Sequence, residues 1–294
     1  MQKALVSEEE YCAYSHYSAM LERTRSDWLI AMYESYWDDS GTDSSCPLAI
    51  AACYVSRKTG WDRFTDAMYR IGREEGFETF HMVDFASKAE PFDGWDDPKR
   101  ERVFQRLARA INENKLAGFG VAIPKDVFDK IVPTLPERLR SKCGKHHYTF
   151  AVKVLLVLIA RWRAESGIKL PMRYVFDQMG KGKGEIMAVW DKKNLRDQNA
   201  LEKLGLEPDG YSFESKTKFK PLQAADVLAW QMNWHMRNVI ALGKHCADDC
   251  HPHFRILRLD QEMRLGFMTE ENFVTTIERE LEAMEESGEI QNET

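Results

Sequence analysis

Six cysteines, Cys12, Cys46, Cys53, Cys143, Cys246 and Cys250, are spread through 294 residues. That is too sparse for a disulfide framework in a chain of this length, so they read as reduced thiols. Long apolar runs are missing as well. The two longest uninterrupted ones are the eight residues from Leu48 to Val55 and the seven from Val154 to Ala160, the latter closed off by Lys153 and Arg161, both far short of the ~20 residues needed to cross a bilayer. No membrane partner is expected. The opening MQKALVSEEEY has no apolar core of the secretory kind, and the expectation is a cytoplasmic chain.

Several familiar chemical signatures are absent. GKGKG at 180–184 is followed by Glu185 rather than by the Gly-Lys-Ser/Thr ending of a nucleotide-binding loop. There is no dinucleotide fingerprint, no Gly-x-Ser-x-Gly elbow and no His-Glu-x-x-His helix, which argues against serine hydrolases and zinc proteases. Overall charge is modest, with 41 Lys plus Arg against 47 Asp plus Glu and a formal net of −6. A general nucleic-acid coating protein would be strongly basic.

What is present suits a folded domain: 44% hydrophobic, 30% charged and 11% aromatic residues. Residues 1–27 read as an N-terminal extension and 28–240 as the main domain. Residues 241–294 read as a Cys/His segment followed by an acidic helix and tail. In the main domain the apolar pattern predicts strands at about 28–37, 48–56, 116–123, 172–177 and 211–214. Helices are predicted at 61–75, 98–114, 147–164 and 185–204, and a last one after Pro221 to about Asn238. The order is a mixed α/β plan with five strands, an early antiparallel meander preceding strands joined by helical crossovers.

Charge is unevenly placed. Between Arg140 and Lys220 there are 17 Lys plus Arg against 9 Asp plus Glu, net +8, so the rest of the chain carries −14. Lys181 and Lys183 follow the fourth strand, while Lys216, Lys218 and Lys220 lead into the last core helix. Either group could contact phosphates, or serve as ordinary surface lysines; Lys218 is the preferred functional candidate. Residues 270–294 hold nine Glu and one Arg. They read first as a solvated helix face and secondarily as a protein-partner surface.

Aspartates fall where apolar neighbours make a charge expensive. Asp38 and Asp39 end the first strand after Tyr36 and Trp37, and Asp177 ends the fourth after Tyr174, Val175 and Phe176. Asp226 shares a helical stripe with Leu222, Ala225, Ala229 and Trp230. Each could be a cap or an ion-pair partner, or several could share a divalent cation such as Mg²⁺, which prefers oxygen ligands.

Four motifs then stand in order: YWDDSG at 36–41, FHMVD at 80–84, YVFD at 174–177 and PLQAADVLA at 221–229. Together they resemble the domain of unknown function 3800 family, over roughly residues 30–240. The resemblance implies a ribonuclease H-like fold with acidic residues on the first strand, the fourth strand and a late helix. Asp38, Asp177 and Asp226 would then be the metal-binding set for Mg²⁺ or Mn²⁺. Asp39 would be an additional ligand, standing where the family more often has Glu. The implied activity is metal-dependent phosphodiester hydrolysis, with DNA or RNA as partner and His81 protonating a leaving group or orienting a water. Two alternatives stand beside it: a small phosphoester hydrolase, and a catalytically silent binding or regulatory protein on the same fold.

KHCADDCHPHF places His245, Cys246, Cys250, His251 and His253 within nine residues, a density that could supply Zn²⁺ ligands. The spacing fits no standard finger, so the segment reads as a polar connection. His146 and His147 read as a helix start.

Overall fold

The central strand of the sheet is Tyr33–Ser40, β1, in which Tyr33 to Asp38 are all buried. This computed structural model describes residues 32–178, 182–190, 204, 206–242, 252–258 and 262–282. The extension at 1–27, Lys181, Cys246, Cys250, His251 and the tail beyond 282 lie outside the described residues. Side chains of β1 alternate between two cores, as a pleated strand requires. Tyr33 and Trp37 enter one cluster, Tyr36 the other.

Two antiparallel partners follow in sequence, β2 (Leu48–Arg57) on β1 and β3 (Ala117–Pro124) on β2. Then β4 (Met172–Asp177) runs parallel to β1, and β5 (Leu206–Glu214) parallel to β4. The sheet has six strands rather than the expected five, in the order β5-β4-β1-β2-β3-β6, because β6 (Glu262–Phe267) joins β3 in parallel. Only β2 runs against the rest.

The sixth strand lies beyond residue 240, where the sequence reading set a separate segment, yet it is hydrogen-bonded into the same sheet. Met263, Leu265 and Phe267 do alternate, but an intervening Arg264 and Gly266 and a half-buried edge position weaken the signal. The fifth strand is longer than the expected 211–214. Its first half contains Pro208 and Gly210, a turn signature that an edge strand tolerates.

Helices cover both faces. On the side of Tyr36 lie α1 (Lys58–Glu75), α2 (Met82–Ser87) and α3 (Asp97–Asn114). On the side of Trp37 lie α4 (Lys125–Ile131), α5 (Glu137–Cys143), α6 (His147–Glu165) and α7 (Lys183–Trp190). Two further helices, α8 (Lys220–Leu242) and α9 (Pro252–Leu257), return to the first face. The last, α10 (Glu270–Glu282), packs Phe273 and Ile277 on the second. Among the described residues no helix is long and apolar enough to cross a membrane.

The α6 segment, apolar nearly all round in sequence, is buried from Tyr148 to Val157 apart from Lys153, as a helix between a sheet and a further layer should be. His146 is its N-cap and His147 its first residue. The glycines of β3 have a packing reason. A Cβ on Gly120 would stand 2.5 Å from Sδ of Met232, so the bare backbone leaves room for that side chain of α8 against the sheet.

Candidate active site

The parallel register of β1 and β4 pairs Trp37 with Phe176. The next residue on each strand is therefore an aspartate, Asp38 beside Asp177, on the face already carrying Tyr36 and Val175. That face is covered by α8, whose Ala224, Ala225 and Ala229 are fully buried and let it approach the sheet. Asp226 comes down from the same helix and is 5% exposed. Three aspartates far apart in sequence thus meet at the carboxyl ends of two parallel strands.

They meet on a lysine. The ammonium of Lys216 is 2.8 Å from Oδ2 of Asp38, 3.1 Å from Oδ2 of Asp177 and 3.2 Å from Oδ1 of Asp226. Lys216 belongs to the basic group that precedes α8, but Lys218, the residue preferred from sequence, is exposed on the same turn. The turn is pinned by its backbone: the Lys216 N–H donates to Oδ1 of Asp177, and its carbonyl accepts from Nε2 of Gln223.

Burial, then repulsion from Asp226, pushes the Asp38 carboxyl well above its ordinary range, and Lys216 only partly opposes this. For Lys216 itself burial works against the charged form, yet the three carboxylates outweigh it and hold the ammonium more firmly protonated than an ordinary lysine.

His81 stands at the rim. Its Nδ1 is 3.0 Å from Oδ2 of Asp84, and its Nε2 is 3.6 Å from Oδ1 of Asp226. The backbone on either side is held by α8. The N–H of Phe80 donates to Oε1 of Gln223 at 3.1 Å, and that of Met82 to Oδ2 of Asp226 at 2.6 Å. The FHMVD and PLQAADVLA motifs therefore interlock. Gln223 is a site residue that sequence reasoning passed over, although it lies three residues before Asp226 and so on the same helical face.

Asp39 sits apart from the three. Strand alternation turns it toward the opposite face, where its Oδ2 accepts from Oγ1 of Thr42 at 2.7 Å. Burial raises its carboxyl, with the Thr42 bond and Lys216 opposing. It borders a cleft of about 1260 Å³ that also takes in Lys125, Asp129, His147 and Gln178, but not Asp38, Asp177 or Asp226. The turn beyond it needs Gly41, which has φ +72° and whose Cβ would be 2.3 Å from the Leu48 carbonyl oxygen.

The other candidates are engaged elsewhere. Nζ of Lys183 lies 4.6 Å from the centre of the Phe213 ring, and that of Lys220 donates to the Glu78 carbonyl. His146 meets Glu185 and His147 meets Asp129. His253, the one ring of the proposed zinc group within the described residues, is 2.7 Å from Oε2 of Glu101 and stacks on Phe104.

As the side chains stand, no group of three or more His, Cys, Asp or Glu among the described residues is arranged to hold a metal ion. The three carboxylates close on an ammonium instead. Their chemistry nonetheless fits a hard divalent cation: all the donors are carboxylate oxygens, and the point they share already holds a positive charge.

No family model and no curated protein matches the chain. Among solved structures it is similar to a chain in the structure of the PCNA:RNase HII complex from Archaeoglobus fulgidus. The two are 13% identical over 76% of this chain and 84% of that one, with a TM-score of 0.36.

Proposed function

We propose that the protein is a divalent-metal-dependent nuclease of the ribonuclease H-like kind, related to the domain of unknown function 3800 family, that hydrolyses phosphodiester bonds of DNA or RNA. One observation carries the reading: Asp38, Asp177 and Asp226, from the first strand, the fourth strand and a late helix, aim at one point. Their elements are those the resemblance implies. Three carboxyl groups share a single ammonium, too little to hold Asp38 in its ordinary range, and burying charge that is not fully compensated costs several kcal/mol. A fold that needed only stability would replace them with apolar residues.

Asp38, Asp177 and Asp226 would hold Mg²⁺ or Mn²⁺, which when bound supplies activation of a water and stabilisation of the leaving oxygen. The chain's own groups do the rest. With Nδ1–H donating to Asp84, His81 presents the lone pair of Nε2 toward the carboxylates, placed to take a proton from a water or, once protonated, return one to a leaving oxygen. Asp84 fixes that tautomer. Lys218, exposed on the turn, is free to follow a phosphate backbone.

The test is cleavage of single- and double-stranded DNA and RNA with Mg²⁺ or Mn²⁺. The expected result is metal-dependent cutting by the wild type and loss of at least ~10³-fold in Asp177→Asn. Turnover of small phosphoesters without polymer cleavage would instead select the small-substrate hydrolase. A second reading has its own support. Because Lys216 already pairs with all three carboxylates, the site is also what a catalytically silent binding protein would keep. Absence of both metal binding and cleavage selects it.

A further inference from the structure

A structural lysine is satisfied by one carboxylate, whereas Lys216 contacts three, from β1, β4 and α8, within 2.8–3.2 Å. It does so from a short turn between β5 and α8 whose neighbours Thr217 and Lys218 are exposed. The backbone of the turn is also held by bonds that do not involve the three carboxylates: the Lys216 carbonyl accepts from Gln223, and the N–H groups of Lys218 and Phe219 donate to the Ser215 carbonyl. The long stem can therefore swing outward while the turn stays in place. An ammonium and a divalent cation cannot share a point, since like charges a few ångströms apart in a half-buried setting repel strongly.

We propose that Lys216 is a displaceable counter-cation. It holds Asp38, Asp177 and Asp226 together in the metal-free protein, leaves when a divalent ion binds, and then presents its ammonium on the solvent side, where an anionic substrate approaches. This rests on the metal-site reading above and adds a competition that the reading by itself does not require.

Two measurements on the full chain test it, neither of them activity. The first is acylation of lysines in the wild type, read by mass spectrometry with and without Mg²⁺. Labelling of Lys216 should rise on the order of tenfold when the metal is added, because an ion-paired amine is released to solvent, while the buried Lys115 stays protected. The second is calorimetric titration with Mn²⁺. Lys216→Met should bind on the order of tenfold more tightly than wild type, having lost its internal competitor. Metal binding with Lys216 still protected, or with Lys216→Met no tighter than wild type, overturns the inference and leaves the metal site standing. If Lys216→Met does not fold, the wild-type labelling decides alone. Absence of Mn²⁺ binding in both proteins overturns the metal reading itself, and the inference with it.

Discussion

Lys216 and Lys115, two of the lysines withdrawn from water among the described residues, are treated in opposite ways. Lys216 lies among three carboxylates and is held protonated. Lys115, 3% exposed at the C-cap of α3, donates to the carbonyl of Leu257 and lies 5.1 Å from the Tyr54 ring centre. Among the described residues no carboxylate pairs with it, and burial alone pulls its pKa down to about 8. The first is a charge for which the surroundings were built. The second is a fastening between the sheet and α9 that tolerates its charge. Burial is common to both; what sets Lys216 apart is the convergence of opposite charge from separate elements.

The sharpest way to break the comparison is to remove each amine. Lys216→Met leaves three inward carboxylates without their counter-charge, and breaking a buried pair in this way costs ~3–5 kcal/mol. Urea unfolding without divalent metal should show that loss, and Asp38→Asn in the same background should recover part of it by removing one of the repelling charges. A loss below about 1 kcal/mol would mean that the carboxylates are satisfied by water or protons. Lys216 would then be an ordinary surface residue.

Lys115 should instead reveal itself through pH. In the unfolded chain its amine titrates near the ordinary lysine value of 10.5, in the folded protein at about 8. Between those values the unfolded state binds more protons, so stability rises with pH across the window. Below about 8 both states are protonated and this contribution is flat. The rise is on the order of 3 kcal/mol. It should be visible as the difference in urea stability between wild type and Lys115→Met, with parallel pH profiles counting against it.

The same contrast explains what could be read in advance. Asp38, Asp177 and Asp226 were legible because a carboxylate after an aromatic run, or on an apolar helical stripe, violates the local pattern and so announces a partner. The partner was not legible. Lys216 and Lys218 differ by two positions in a polar turn, and only the geometry of that turn decides which ammonium turns inward. Gln223 was hidden for a different reason: an amide on a helix face carries no charge to mark it, and its two bonds go to backbone atoms of Phe80 and Lys216. The second, third and fourth strands lay close to their expected places because each is a short, nearly continuous apolar run buried on both faces, whereas the first runs over Tyr33–Ser40 rather than the expected 28–37. At the two edges Pro208 and Gly210 disguised half of β5, and a half-exposed β6 diluted its own alternation.

A third buried charge, Glu34 on β1, tests whether a single neutral bond can do for a carboxylate what three charges do for Lys216. It is 4% exposed, and burial raises its pKa above the ordinary 4.5, with Arg173 and a hydrogen bond from Tyr36 opposing the rise. The Tyr36 hydroxyl donates to Oε2 of Glu34 at 3.0 Å. For a carboxyl with a raised folded-state value, the unfolded chain loses its proton first. Stability therefore falls as pH climbs from 4.5 toward the folded value and is constant above it. Tyr36→Phe removes the bond while keeping the ring that meets Trp61 edge-on at 5.1 Å. It should cost about 1–2 kcal/mol at a pH above the folded-state value, where the carboxylate is ionised, and less at pH 4, where protonation removes the charge the hydroxyl was serving. An equal loss at both pH values would assign the hydroxyl to packing and leave Glu34 dependent on Arg173.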